Sequence, residues 1–157
     1  MNMLWRSILC VGFALAGCAA TAHAQTFPID DSRSQVLGGT VAMQWQDFFP
    51  KRHSSSLLIG QFTVAVHLDV AAWQGRYARI YQRLPAQPNS PITARWQSQG
   101  RLLSGQIRSG ERSLVYQGTI HSASLQDTFV VHIEADGDRL TREQALEFSF
   151  EIELESP

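Results

Sequence analysis

Apolar and polar residues alternate with a period of two along most of the chain beyond Gly39, the pattern of strands that bury one face and wet the other. Val41, Met43 and Trp45 begin the series, which Phe48-Phe49-Pro50 ends before a polar loop at Lys51–Ser56. Phe62, Val64, Val66, Leu68 and Val70 give the cleanest run, interleaved with Thr63, Ala65, His67 and Asp69. Ala78, Ile80 and Leu84 alternate with Tyr77, Arg79, Tyr81 and Arg83. After a proline-rich loop at 85–91, Ile92, Ala94 and Trp96 alternate with Thr93, Arg95 and Gln97. Gly100, Gly105 and Gly110 predict short strands joined by tight turns, in the manner of an edge hairpin. Leu114, Tyr116 and Ile120 mark the next strand, and Phe129, Val131, Ile133 and Ala135 another, closed by an Asp136-Gly137 turn signal. Thr141-Arg142-Glu143-Gln144 has capping-box spacing and predicts one helical turn. Leu146, Phe148, Phe150, Ile152 and Leu154 complete the pattern.

Helical periodicity of any length is absent, and about seven strands separated by turn signals imply an all-β domain. The expected architecture is an immunoglobulin-like antiparallel β-sandwich, with a small β-barrel as the alternative. The Cys…Trp…Cys spacing of antibody-type domains is missing.

The N-terminus changes the picture of where this domain works. Arg6 precedes an apolar stretch at 7–16, and Ala22 and Ala24 supply small residues before Gln25. That is the layout of a secretory signal peptide over residues 1–24. The expected organisation is then a leader or linker at 25–35 and a single β domain at 36–157, in the periplasm or on the periplasmic face of the outer membrane. Leu15-Ala16-Gly17-Cys18 also resembles the lipobox of bacterial lipoproteins. That resemblance implies the alternative processing, with residues 1–17 removed and Cys18 lipidated. Both cysteines, Cys10 and Cys18, precede Gln25, so a chain cut there has no disulfide and no thiolate chemistry.

Charge is nearly balanced, with 13 basic and 14 acidic residues, which argues against a nucleic-acid partner. Its distribution is uneven. Residues 76–112 hold seven arginines (Arg76, Arg79, Arg83, Arg95, Arg101, Arg108 and Arg112) with Glu111 the lone acid, while acids crowd 127–155, starting with Asp127 and Glu134. By strand parity Arg79 and Arg83 share one outward face, and Glu147, Glu151, Glu153 and Glu155 share another. Two readings follow. One is a set of solvated faces or cross-strand charge ladders; the other is an acidic face and an arginine surface for a protein partner. Trp73, Tyr77, Arg79, Tyr81 and Arg83 form the candidate binding set, because exposed aromatics beside arginines suit interfaces and sugar platforms. Trp45 and Trp96 are read as core.

Enzyme chemistry finds little support. No GxSxG elbow or glycine-rich phosphate loop is present. His67 and His132, near Asp69 and Glu134, lack a compact zinc spacing, and Asp136-Gly137-Asp138 lacks the other ligands of a calcium loop. No metal or cofactor is implied. The expected function is a non-enzymatic envelope protein acting through protein contacts, as an accessory or assembly subunit of a surface or secretion structure. Strand exchange through Val41–Trp45 and the last strand is one route. The alternatives are a small-ligand or carbohydrate-binding module, and a hydrolase with a loop-built site.

Overall fold

The computed structural model describes residues 24–38, 44–45, 57–87, 91–136 and 147–155. Its strands are β1 (Gln25–Pro28), β2 (Gln35–Leu37), β3 (Gln44–Trp45), β4 (Leu57–Asp69), β5 (Tyr77–Arg83), β6 (Ile92–Ser98), β7 (Gly105–Arg108), β8 (Arg112–Thr119), β9 (Ser124–Asp136) and β10 (Ser149–Leu154). Sheet A has the order β1-β10-β5-β8, and sheet B the order β2-β4-β9-β6-β7, with β3 also on β4. Every pairing is antiparallel. The two sheets pack face to face around Leu68, Val70, Ile80, Leu84, Trp96, Ile107, Phe129, Ile133 and Ile152. This is the all-β sandwich that the alternation implies. Residues 1–23 of the signal segment, the Cys18 alternative, Val41–Met43 of the strand-exchange segment, the Lys51–Ser56 loop and residues 137–146, with the capping box at Thr141, lie outside the described residues.

The period-two pattern sets which face each strand buries. In β5 the sequence Tyr77, Arg79, Tyr81, Arg83 faces outward, while Ala78, Ile80 and Gln82 are buried. In β10 Phe150, Ile152 and Leu154 are buried between Glu151 and Glu153. Trp96 is core, as its parity predicts: its indole N–H donates to the Leu103 carbonyl at 2.9 Å, and its ring lies near parallel to Phe129 at 6.0 Å. Gly105 stands opposite Trp96 on the β6–β7 hairpin. A Cβ there would come within 2.9 Å of the Trp96 ring, so the ring's seat requires glycine.

Two expectations change. Residues 25–35, read as a leader or linker, contain β1, which pairs with β10 at the edge of sheet A. Ile29 follows it into the core, and Asp30 bridges Asp69. Pro28 sits at the end of this edge strand, where a missing N–H costs no ladder bond. The other change is in β8. Ile80 faces Tyr116 and Tyr81 faces Leu114, so Val115 is the extra residue of a bulge. Val115 is therefore fully buried, while Leu114 lies across from Tyr81 on the outer side. Alternation alone puts Leu114 inside, because it assumes an unbroken ladder.

Sheet B is longer than sheet A. Strands β4 and β9 each run 13 residues, against 7 for β5 and 6 for β10. At one end of the sandwich, the inner face of β4 and β9 therefore outruns the described strands opposite it.

Candidate functional site

The site of interest is the cleft left by that mismatch. It encloses about 720 Å³ between the sheets. Phe62, Val64 and Val66 on β4 and Phe129, Val131 and Ile133 on β9 form the sheet B wall. Each group repeats at every second residue, and the two strands face each other with Phe62 opposite Val131 and Val64 opposite Phe129. A continuous apolar floor results from the same parity that builds the core. Phe62 and Val64 are only partly buried, whereas Leu68, further along β4, is fully buried. Sheet A supplies Gln82, Ser149 and Phe150, the segments flanking its strands supply Pro85 and Phe148, and Asp31, Ser34, Gln35, Val36 and Glu147 are the other described lining residues.

Gln82 is the anomaly in this wall. It points inward between Ile80 and Leu84, is 4% exposed, and its carboxamide Oε1 has no hydrogen-bond partner. A buried acceptor left unpaired costs about 1–3 kcal/mol. Asp31 adds a second polar group in an apolar setting. Burial raises its carboxyl pKa above the usual aspartate value, against a backbone hydrogen bond that lowers it. Its neighbour Asp30 is lowered instead, by hydrogen bonds from Ser32.

The outer face of sheet A is built differently. Strands β10, β5 and β8 lie side by side, so the arginine-rich and acid-rich segments of the sequence meet across the ladder. Arg79 pairs with Glu155 at 2.6 Å and Arg83 with Glu151 at 3.4 Å. Arg112 bridges Glu151 at 2.9 Å and Glu153 at 3.0 Å. Its guanidinium also lies 4.2 Å above the Tyr81 ring, a cation–π contact. The Glu151 carboxylate raises the Arg112 pKa above the ordinary guanidinium value, opposed by desolvation. Burial, followed by Glu153, raises the Tyr81 phenol. Tyr77 remains exposed and accepts a hydrogen bond from the Gln117 amide at 2.8 Å. Trp73, in the 3-10 turn at Ala71–Trp73, packs against the core with Phe27 6.2 Å away. None of Trp73, Tyr77 and Tyr81 lines the cleft; of the acidic set Glu147, Glu151, Glu153 and Glu155, only Glu147 does.

The zinc reading of the histidines has no geometric basis here. His67 lies opposite Gln126 and His132 opposite Gln61, six ladder positions apart, or about 20 Å. No group of three potential ligands converges among the described residues.

Gln82 and the apolar cleft are absent from the sequence-based candidate set. The signal for Gln82 was present as a polar residue at a core position of the Ala78–Leu84 alternation. The cleft itself depends on unequal strand lengths, which no local pattern encodes. The chain matches no known protein family, no curated protein and no solved structure.

Proposed function

We propose that this chain is a non-enzymatic binding protein of the bacterial envelope whose inter-sheet cleft holds an apolar ligand. The cleft carries the reading: about 720 Å³ is within the size of ordinary small-molecule sites, and its walls are apolar with a few polar groups. Its floor of six aliphatic and aromatic side chains offers the contact area, and an unpaired acceptor at Gln82 offers a point of orientation. The test is titration of the folded mature chain with the neutral probe N-phenylnaphthylamine. One saturable site is expected, blocked in Val64→Trp, which fills the floor. Methyl shifts of Val64 and Val131 in the unaltered chain provide the same readout without a variant. Absence of saturable binding and of those shifts overturns the proposal.

A second reading, an assembly subunit acting through protein contacts, is favoured by the edge strand β2, where Val36 and Leu37 are 47% and 48% exposed. Its mark would be a stoichiometric partner recovered from solubilised envelopes and lost in Val36→Lys/Leu37→Lys. The same preparation tests the envelope location. A bait beginning at Gln25 or at lipidated Cys18 supports it, and an unprocessed cytosolic chain rejects it. An immunoglobulin-like kinship of the sandwich is also proposed, because links such as β4–β5, β5–β6 and β8–β9 pass between sheets. An experimental structure with both sheets joined into one closed barrel would remove it.

A further inference from the structure

We infer that the cleft selects an amphiphile with an apolar body and a cationic, hydrogen-bond-donating head, of the alkylammonium class. This rests on the cleft being a ligand site, and adds what its polar groups ask for. Asp31 and Glu147 bring two carboxylates to the lining, and no lysine, arginine or histidine is among the described lining residues. Elsewhere among the described residues Glu134, Glu151, Glu153 and Glu155 each bond an arginine, while Asp30, Asp69, Glu111 and Asp127 each accept from the backbone N–H of another residue. Asp31 and Glu147 have no such ion pair among the described residues, and Arg33, exposed in the turn after Asp31, does not line the cleft.

The third polar group points to the same chemistry. Gln82 is 96% removed from solvent, and the atom without a partner is its carbonyl oxygen, an acceptor. An ionised carboxylate accepts only, and a primary ammonium donates three hydrogen bonds. A ligand whose head donates therefore answers all three groups, whereas a carboxylate or phosphate head meets two like charges. The apolar floor formed by Phe62, Val64, Phe129 and Val131 takes the chain.

The experiment compares three ligands of equal chain length, decylammonium, decanol and decanoate, by calorimetry below their aggregation limits at neutral pH. The expected order of affinity is decylammonium, then decanol, then decanoate. Lengthening the alkylammonium should tighten binding by roughly fourfold per methylene until the floor is covered. The double variant Asp31→Asn/Glu147→Gln is expected to weaken decylammonium by roughly tenfold and leave decanol unchanged, the effect of losing two partly exposed ion pairs. Should that variant fold poorly, salt dependence in the unaltered chain substitutes: ammonium affinity falls with added salt and decanol affinity does not. Equal binding of all three ligands, or a preference for decanoate, overturns the inference and leaves the cleft reading intact. Failure of all three to bind overturns both.

Discussion

The two ends of the sandwich solve the same problem differently. Each has a polar residue at a position whose neighbours in the alternation are core. At the closed end it is Asp127, flanked by Leu125 and Phe129 on β9; at the open end it is Gln82 on β5, flanked by Ile80 and by Leu84 just past the strand's end. Asp127 is fully engaged. Its carboxylate accepts from the Ser98 hydroxyl at 2.8 Å and from the backbone N–H groups of Leu102, Thr128 and Gln99 at 2.7, 2.6 and 3.2 Å. It thereby fixes the β6–β7 connection across the end of the core. Gln82 has an unpaired Oε1 and a cleft beside it. A buried polar group that is satisfied builds structure; one that is left unpaired carries a cost that a ligand can relieve.

The sharpest way to break this contrast is at Asp127. Asp127→Ala removes the acceptor of the Leu102 and Thr128 N–H groups and of the Ser98 hydroxyl, while the Gln99 N–H keeps the Thr128 carbonyl at 3.0 Å, and should destabilise the fold by about 4 kcal/mol, read as a fall in the urea midpoint at unchanged slope. Asp127→Asn keeps an acceptor and should cost less. A loss below about 1 kcal/mol for the alanine variant would mean that the 98–104 connection is not held by this carboxylate.

Next in size is a pair of truncations on one strand. Leu68→Ala at the closed end should cost about 3 kcal/mol, since the side chain is wholly buried and its neighbours cannot all collapse. Val64→Ala, four residues away at the cleft, should cost about 1 kcal/mol or less, because a partly buried valine beside empty space has fewer contacts to lose. Equal losses would show that the open end is packed as tightly as the closed one.

The sheets were legible because alternation records which face of a strand is wet. Val66–Val70, Ala78–Leu84 and Ile92–Trp96 all bury the side that their period assigns, and Phe62 and Val64 half-bury it at the cleft. Three features were hidden for separate physical reasons. The β1 segment offers only Phe27 and Ile29 as apolar markers among polar residues, too few for a period to emerge, yet an edge strand needs little more. Val115 is buried by a bulge, which resets parity without leaving a residue-type signature. Segregated charge along the chain suggested separate acidic and basic surfaces as one reading; strand order, which sequence does not provide, puts the two on neighbouring strands as ion pairs. The candidate site was half legible. Gln82 and Asp127 both broke the apolar register, but only the folded arrangement distinguishes the bonded one from the unpaired one.

A smaller effect sharpens the open end. Gln82→Leu keeps the approximate volume and removes the unpaired acceptor, so it should stabilise the free protein by about 1 kcal/mol. The same change should lessen the preference for donor-bearing ligands while leaving binding of a purely apolar probe. Destabilisation by the substitution would indicate that the carboxamide contributes a favourable interaction that outweighs its unpaired oxygen.

The smallest effect tests the charge at the cleft through pH. Burial raises the folded-state pKa of Asp31 above its ordinary value, so the folded protein holds this proton more tightly than the unfolded chain does. Ionising Asp31 therefore costs stability. The cost is absent below the ordinary aspartate pKa, grows as pH rises towards the raised folded value, and is constant above it. Asp30 runs the other way: its lowered pKa adds stability that is lost as pH falls through the folded value. Asp31→Asn removes the first contribution and leaves the second. The variant should gain on the unaltered protein between acid and neutral pH and then hold a constant advantage, measured as the difference in urea midpoint across that range. A difference that stays flat from pH 3 to pH 7 would show that the Asp31 carboxylate is solvated as well in the fold as in the unfolded chain, and would remove the electrostatic basis for a cation at this rim.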